Sequence, residues 1–253
     1  MVILAHLSDL HFGQDAGPGI DEARARRRAE QVVAYLGTLR GEVDAVLVTG
    51  DIADHGTPAE YRTARELLAT VRFPVLACPG NHDDRVAYQR HLLGTPDDGG
   101  RAVNQVHHLP GATVAMCDST IPGRADGMLD EATLSWLDKV LTDAPPDEPA
   151  FVCFHHPPVH LHGPADDIRQ FGEEKLAELL EAHPHVAAVL CGHAHTAAAS
   201  TFAGRPLLVA PGVVSTGVLP FEPGAPLDYE LPPAIAFHVL DDDRRLVTHF
   251  RSL

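Results

Sequence analysis

The sequence predicts a two-sheet α/β sandwich with helices on the outside, and three observations predict it. Short, β-branched apolar runs alternate with longer amphipathic stretches; the last quarter replaces helices with closely spaced strands; and several apolar runs end in Asp, Asn or His. With 253 residues, 45% of them hydrophobic, the chain can bury one substantial core and is read as one domain over 1–253.

The runs VILAHL (2–7), AVLVTG (45–50), PVLACPG (74–80), TVAMCDS (113–119), AFVCFHH (150–156) and VAAVLCGH (186–193) read as strands. Helices are expected at about 20–40, 58–71, 84–93, 130–142 and 172–182. In the fourth, Asp130 is placed to cap the N-terminus, and Leu134, Leu137 and Leu141 repeat at helical spacing. STFAG, RPLLVAPG, AIAFHVL and RLVTHF follow, separated by Gly, Pro and acidic turns, and are expected to form a second, antiparallel set of strands. The segment LPFEPGAPLDYELPP (219–233) is long enough to serve as a lid or an oligomer contact.

A formal charge of −16 leaves no broad positive field for a polyanion, so nucleic-acid polymers are excluded as partners. A small phosphate ester is admissible, because metal ions can reverse the sign of a local site. The run RARRR (24–28) shares its helix with Asp21, Glu22 and Glu30 and reads as a solvated face. Cys78, Cys117, Cys153 and Cys191 lie far apart in apolar runs, as buried small hydrophobes in a reducing compartment would. No basic leader opens the chain and no apolar run is long enough for a bilayer, so the expectation is a cytoplasmic protein with no membrane partner.

The metal-capable residues carry the chemistry. Asp9 and His11 follow the first strand, Asp51 the second, Asn81 and His82 the third, and His155, His156, His193 and His195 two later ones. Open α/β sheets place their ligand crevices at such strand ends, so five polar-ended runs describe one converging site. On an extended segment, D-x-H and H-x-H would put both side chains on one side, ready to chelate. A mixed Asp/Asn/His set favours iron, manganese or zinc over calcium, and the lack of thiolates argues against a structural zinc. Asp51, after a glycine that frees the turn, is the natural bridge between two ions.

Ser8-Asp9-Leu10-His11, Gly50-Asp51, Gly80-Asn81-His82-Asp83, His155-His156-Pro157-Pro158 and Gly192-His193-Ala194-His195 resemble, in order, the five signature blocks of the calcineurin-like metallophosphoesterase superfamily. SDLHFG, GDIADHGTPAEY and PGNHD are most similar to the bacterial class III cyclic-nucleotide phosphodiesterases and their glycerophosphodiesterase relatives. The resemblance implies an αββα fold with a dinuclear site at the C-terminal ends of the strands. Asp9, His11, Asp51 and His195 would hold one ion, and Asp51, Asn81, His155 and His193 the other. The family's H-x-P pattern selects His155 over His156. Asn81, His82 and His195 would contact substrate phosphate, with His82 as the candidate general acid.

The implied activity is hydrolysis of small phosphodiesters, with 3′,5′- or 2′,3′-cyclic nucleotides leading, by attack of a water activated between two ions. The alternative is a phosphomonoesterase or a glycerophosphodiester or lipid-precursor hydrolase on the same site. A non-catalytic scaffold would be a third reading, against which the intact ligand set speaks. The ions implied are iron or manganese, with zinc or cobalt as substitutes, and the resemblance is compatible with a homo-oligomer, a dimer or larger. Asp54 or His55 could line the substrate pocket, though turn chemistry is the simpler reading, and His160 and His162 could touch substrate from a loop. His6 and His238 read as core or sheet-face residues, and His91, His107, His108, His183, His185 and His249 as surface groups. Substrate choice falls to loops 13–20, 119–128, 156–171 and 215–233, which carry no readable code.

Overall fold

The computed structural model describes residues 1–14 and 23–253, so Asp21, Glu22 and most of the 13–20 loop lie outside the described residues. The first half runs β1 (Val2–Leu7), α1 (Arg24–Thr38), β2 (Ala45–Thr49), α2 (Pro58–Leu68), β3 (Val75–Cys78) and a short α3 (Arg85–Ala87). Then come β4 (Gln105–Leu109), β5 (Ala112–Met116), α4 (Glu131–Asp143), β6 (Ala150–Cys153), α5 (Glu173–Ala182) and β7 (Val186–Cys191). The chain closes with β8 (Ala198–Phe202), β9 (Arg205–Val209), β10 (Thr216–Gly217), β11 (Leu227–Asp228), β12 (Ala234–Leu240) and β13 (Leu246–Ser252).

Two sheets form, in the orders β13-β12-β1-β2-β3 and β4-β5-β6-β7-β9-β8, with β10 and β11 as a separate ribbon. Between the sheets lie Val2, Leu4, Leu47, Val114, Met116, Phe151, Cys153 and Leu190. Residues of opposite parity, Ala5, Leu7, Val46 and Val48, face outward onto Val32 and Leu36 of α1 and Tyr61 and Ala64 of α2. Val152 and Val189 of the other sheet cover Leu137 and Leu141 of α4 and Leu176 and Leu180 of α5. Strands buried on both faces are apolar at nearly every position, which is why they are readable as runs, and the polar exceptions such as His6 and Thr49 are hydrogen-bonded to one another. All four cysteines are free and buried in this framework, and burial pushes their thiols up.

Three expectations are corrected. The C-terminal strands do not make a sheet of their own. β12 pairs antiparallel with β1 and carries β13 outward, while β9 joins β7 in parallel and β8 folds back on it. Each thereby caps an edge that would otherwise present unpaired backbone groups. The third helix is barely α-helical: after α3, Tyr88–Leu93 continues as a π-helix ending on left-handed Gly94. Finally, β4 reads QVHHL, too polar to be recognised, because it is an edge strand with Val106 and His108 exposed. The Asp130 cap does form, accepting from the Thr133 amide at 2.7 Å.

Candidate metal centre

β1, β2, β3, β6 and β7 end side by side, and each delivers one or two of the predicted residues at its C-terminal end. Asp9, His11, Asp51, His155, His193 and His195 are all buried, and Asn81 is partly exposed at the mouth. The way they converge differs from the extended D-x-H and H-x-H geometry expected. Asp9, His11, Asp51, His193 and His195 have φ of 58°, 45°, 51°, 68° and 53°. Non-glycine residues enter this left-handed region only at a cost, and a cluster of them marks a turn set that the surrounding structure enforces. Strand-end turns, not pleat alternation, aim these side chains at one point.

The approach is close enough to dictate two glycines. A β-carbon on Gly50, whose φ is 89°, would fall 2.5 Å from His155 Nδ1, and one on Gly80 would fall 2.3 Å from Asp51 Oδ1. Only glycine lets β2 and β3 turn this tightly around the central carboxylate.

Asp51 stands in the middle. Its Oδ2 is 3.4 Å from His11 Nε2 and 3.3 Å from His155 Nε2. On one side His195 Nε2 lies 3.4 Å from Asp9 Oδ1, and Asp9, His11 and His195 offer atoms within 4.8 Å of one another. On the other, His155 Nε2 is 3.2 Å from Asn81 Oδ1 and 3.1 Å from His193 Nδ1. The seven residues named from the sequence therefore meet around Asp51.

The donors fit cations. Asp9 Oδ1, His11 Nε2 and His193 Nε2 are buried with no hydrogen-bond partner among the described residues, a costly state unless a positive ion satisfies them. Burial alone would lower the His155 imidazole, yet the neighbouring Asp51 carboxylate overrides it and holds the group up at about 9. Burial would likewise raise the Asp51 carboxyl, but the His155 and His11 charges hold it well below the usual range. Burial depresses His193 to about 3, so the ring stays neutral and one of its nitrogens keeps a lone pair for a metal.

A surrounding layer fixes each imidazole. His155 Nδ1 donates to the Thr49 carbonyl at 2.6 Å, which turns Nε2 inward. His11 Nδ1 meets Asp54 Oδ1 at 2.7 Å, and His195 Nδ1 meets Ser215 Oγ at 2.7 Å. The His82 amide donates to Asp51 Oδ1 at 2.9 Å, and its ring Nδ1 donates to the Asp54 carbonyl at 2.8 Å. Asp83 accepts from the amides of Ile52, Ala53 and Gly80 and from the Tyr61 hydroxyl; burial and then Asp51 hold its carboxyl up at about 6.

His156 is occupied elsewhere: Nδ1 is 2.8 Å from Ser119 Oγ and Nε2 3.2 Å from the Ala125 carbonyl, while the ring packs on His193 with centroids 4.7 Å apart. His55 turns its Nδ1 to Glu60, 2.9 Å away, and His160 lies 3.4 Å from Asp166. Neither they nor His162 line the metal cleft, which is closed instead by Pro164, Ala165, Ile168, Pro226, Leu227 and Tyr229. Of the histidines expected at the surface, His108 and His249 are exposed, whereas His107, His183, His185 and His91 are partly covered.

Sequence reasoning missed two groups. Ser215, behind His195, sits in an unremarkable GVVST run and carried no signal; Asp54, behind His11, was weighed only as a pocket or turn residue. The arginine run is not simply a solvated face: Arg28 donates to the carbonyls of Val213, Tyr229 and Leu231.

Comparison with known proteins agrees with this geometry. The profile of the calcineurin-like phosphoesterase family matches residues 3–197. A glycerophosphodiester phosphodiesterase, GpdQ, of Enterobacter lignolyticus is 32% identical over 241 residues, covering 94% of this chain and 86% of that protein. The 3′,5′-cyclic adenosine monophosphate phosphodiesterase CpdA of Pseudomonas aeruginosa is 30% identical, covering 98% and 88%. A probable cyclic nucleotide phosphodiesterase of Rhodococcus erythropolis is 33% identical, covering 87% and 74%. Among solved structures, a dimetal phosphatase from Danio rerio superposes with a TM-score of 0.76 at 19% identity, covering 99% of this chain and 96% of that one, which bears on the fold alone.

Proposed function

Since the chain belongs to the calcineurin-like phosphoesterase family, we propose that it hydrolyses small phosphodiesters, with cyclic nucleotides the leading class, on a dinuclear metal site. The carrying observation is Asp51: one carboxylate oxygen within 3.4 Å of histidines from two separate clusters, as a ligand shared by two ions would be. The ligand roles are Asp9, His11, Asp51 and His195 for one ion, and Asp51, Asn81, His155 and His193 for the other. Iron and manganese suit this donor set best, with zinc or cobalt able to replace them. When bound, such ions supply Lewis acidity to the phosphate and a water of lowered pKa.

The chain's own residues do the rest. Asn81, His82 and His195 line the cleft and are positioned to orient phosphate oxygens. A carbonyl can only accept, so the Asp54 contact fixes the proton on His82 Nδ1 and directs Nε2 to the cleft, where it carries a proton to the departing alkoxide. The cleft measures about 420 Å³, room for a small ester. With a charge of −16 the surface gives a polymer no electrostatic hold. Four free buried cysteines support a cytoplasmic setting, and no helix among the described residues is long and apolar enough to cross a membrane.

The second reading is a monoesterase or a glycerophosphodiester hydrolase on the same residues, and the likeness to GpdQ favours the latter. A substrate panel on manganese-reconstituted protein separates the readings. Cleavage of cyclic nucleotides and of bis(p-nitrophenyl) phosphate is expected. An enzyme that prefers p-nitrophenyl phosphate and ignores cyclic nucleotides would overturn the first.

A further inference from the structure

The 219–233 segment folds back as a strap over the cleft. β10 and β11 pair through Gly217 and Leu227, and the Gly217 amide donates to the His195 carbonyl at 3.0 Å, so the strap's root is tied to a candidate ligand residue. Its far limb is held from helix α1. Arg28 donates to the Tyr229 carbonyl at 3.0 Å, to the Leu231 carbonyl, and at 2.8 Å to the carbonyl of Val213, two residues before Ser215. One turn earlier Arg24 reaches Glu230 at 3.2 Å and lies 5.6 Å from the centroid of the Tyr229 ring. Burial lowers the Arg28 guanidinium, as expected for a structural clamp rather than a solvated charge. The held limb gives the cleft its apolar side: Leu227 and Tyr229, together with Ile168 from the 156–171 loop. Polar metal ligands form the floor, so the cleft is two-faced, ionic where the phosphate goes and aromatic or aliphatic beside it.

We infer that Tyr229, Leu227 and Ile168 form a subsite for a planar, apolar ester arm of nucleobase type, and that Arg28 is the positioning residue that holds it in register with the metal centre. The inference rests on the phosphodiester reading above and deepens it. A polyol arm gains little beside a phenol ring and two branched aliphatics, whereas a flat heterocycle can stack, and stacking on an aromatic side chain is indifferent to which base is offered. Arg24 behind the ring holds its plane through a cation–π contact.

The test is steady-state kinetics of the manganese-loaded enzyme on 3′,5′-cyclic AMP and on glycerophosphoethanolamine, with equilibrium binding of adenosine 5′-monophosphate and ribose 5-phosphate alongside. Tyr229→Ala should raise KM for the cyclic nucleotide about tenfold with kcat within about threefold, and leave the glycerol diester's KM unmoved. Tyr229→Phe should stay near wild type. Arg28→Ala should reproduce the Tyr229→Ala pattern, and Arg28→Lys should recover part of it. Equal KM changes for both substrates, or none for the cyclic nucleotide, would overturn the subsite. Should Arg28→Ala fail to fold, the half-buried strap residue Tyr229 carries the test alone. Should the wild type cleave neither diester, the phosphodiesterase reading falls, and binding decides the subsite separately. Weaker adenosine monophosphate binding in Tyr229→Ala with ribose 5-phosphate unaffected upholds it, and equal or absent effects overturn it.

Discussion

The proposed acid role of His82 would separate binding from chemistry at the level of one residue. Its amide donates to Asp51 and its ring meets the cleft, and the proposed ligand set leaves it out. His82→Gln should keep both metals and lower kcat by about 10²- to 10⁴-fold for alkyl esters, the usual weight of a general acid. The loss should be much smaller for p-nitrophenyl esters, whose leaving group needs no proton; equal losses across leaving groups would remove the acid role. Asp54 acts through His11. Asp54→Asn should weaken metal affinity by about 10- to 100-fold, read in a chelator competition, because the hydrogen bond that fixes and polarises the imidazole is weakened. The residues that meet at the centre were legible in the sequence because their short motifs are local. Ser215 and Arg28 were not, since their contacts form only when segments 20 and 185 residues apart meet.

The strand ends act as units. β2 and β3 bring Asp51 and Asn81 together only because Gly50 and Gly80 have no side chain. Gly80→Ala would force a β-carbon to 2.4 Å from the Asp51 amide nitrogen, and displacing the shared carboxylate by even about 1 Å should cost about 100-fold in kcat/KM. Beneath the site, β1 and β12 share a buried polar row. His238 Nδ1 meets Thr248 at 2.9 Å, His6 Nδ1 meets His238 Nε2 at 3.0 Å, and His6 Nε2 meets Thr49 at 2.9 Å. Burial depresses both imidazoles, His238 to about 3, so both are neutral when folded. The stability of this arrangement is therefore present above the ordinary histidine pKa of about 6.5 and is lost as pH falls toward 3. Between pH 6.5 and 5 the wild type should lose about 1.6 kcal/mol more than His238→Gln in urea denaturation, since the unfolded histidine takes up its proton over this window at about 1.4 kcal/mol per unit once well below its pKa; equal losses would mean that His238 takes up no proton on unfolding. The central strands were readable because burial on both faces makes them uniformly apolar. The edge strand β4, the two-residue strands β10 and β11 and the π-helical turn were not, because partial exposure and short length erase any period.

For the whole molecule, two sheets converge so that the proposed ligands, spread from residue 9 to residue 195, close around one carboxylate. The strap from the far end of the chain then narrows the opening. On the proposed reading the acidic surface and the metal centre divide the work: a charge of −16 gives a polymer no electrostatic hold, and ions held at the centre would draw one small anion inward. All of this turns on Asp51 joining two ions. The direct measurement is metal content by mass spectrometry, after reconstitution with manganese and removal of free ion, for the wild type and Asp51→Asn with hydrolysis followed in parallel. About two equivalents per chain are expected in the wild type, and about one or fewer, with hydrolysis lost, in the variant. A wild type that holds no more than one ion, or a variant that keeps two and hydrolyses at the wild-type rate, would contradict the account.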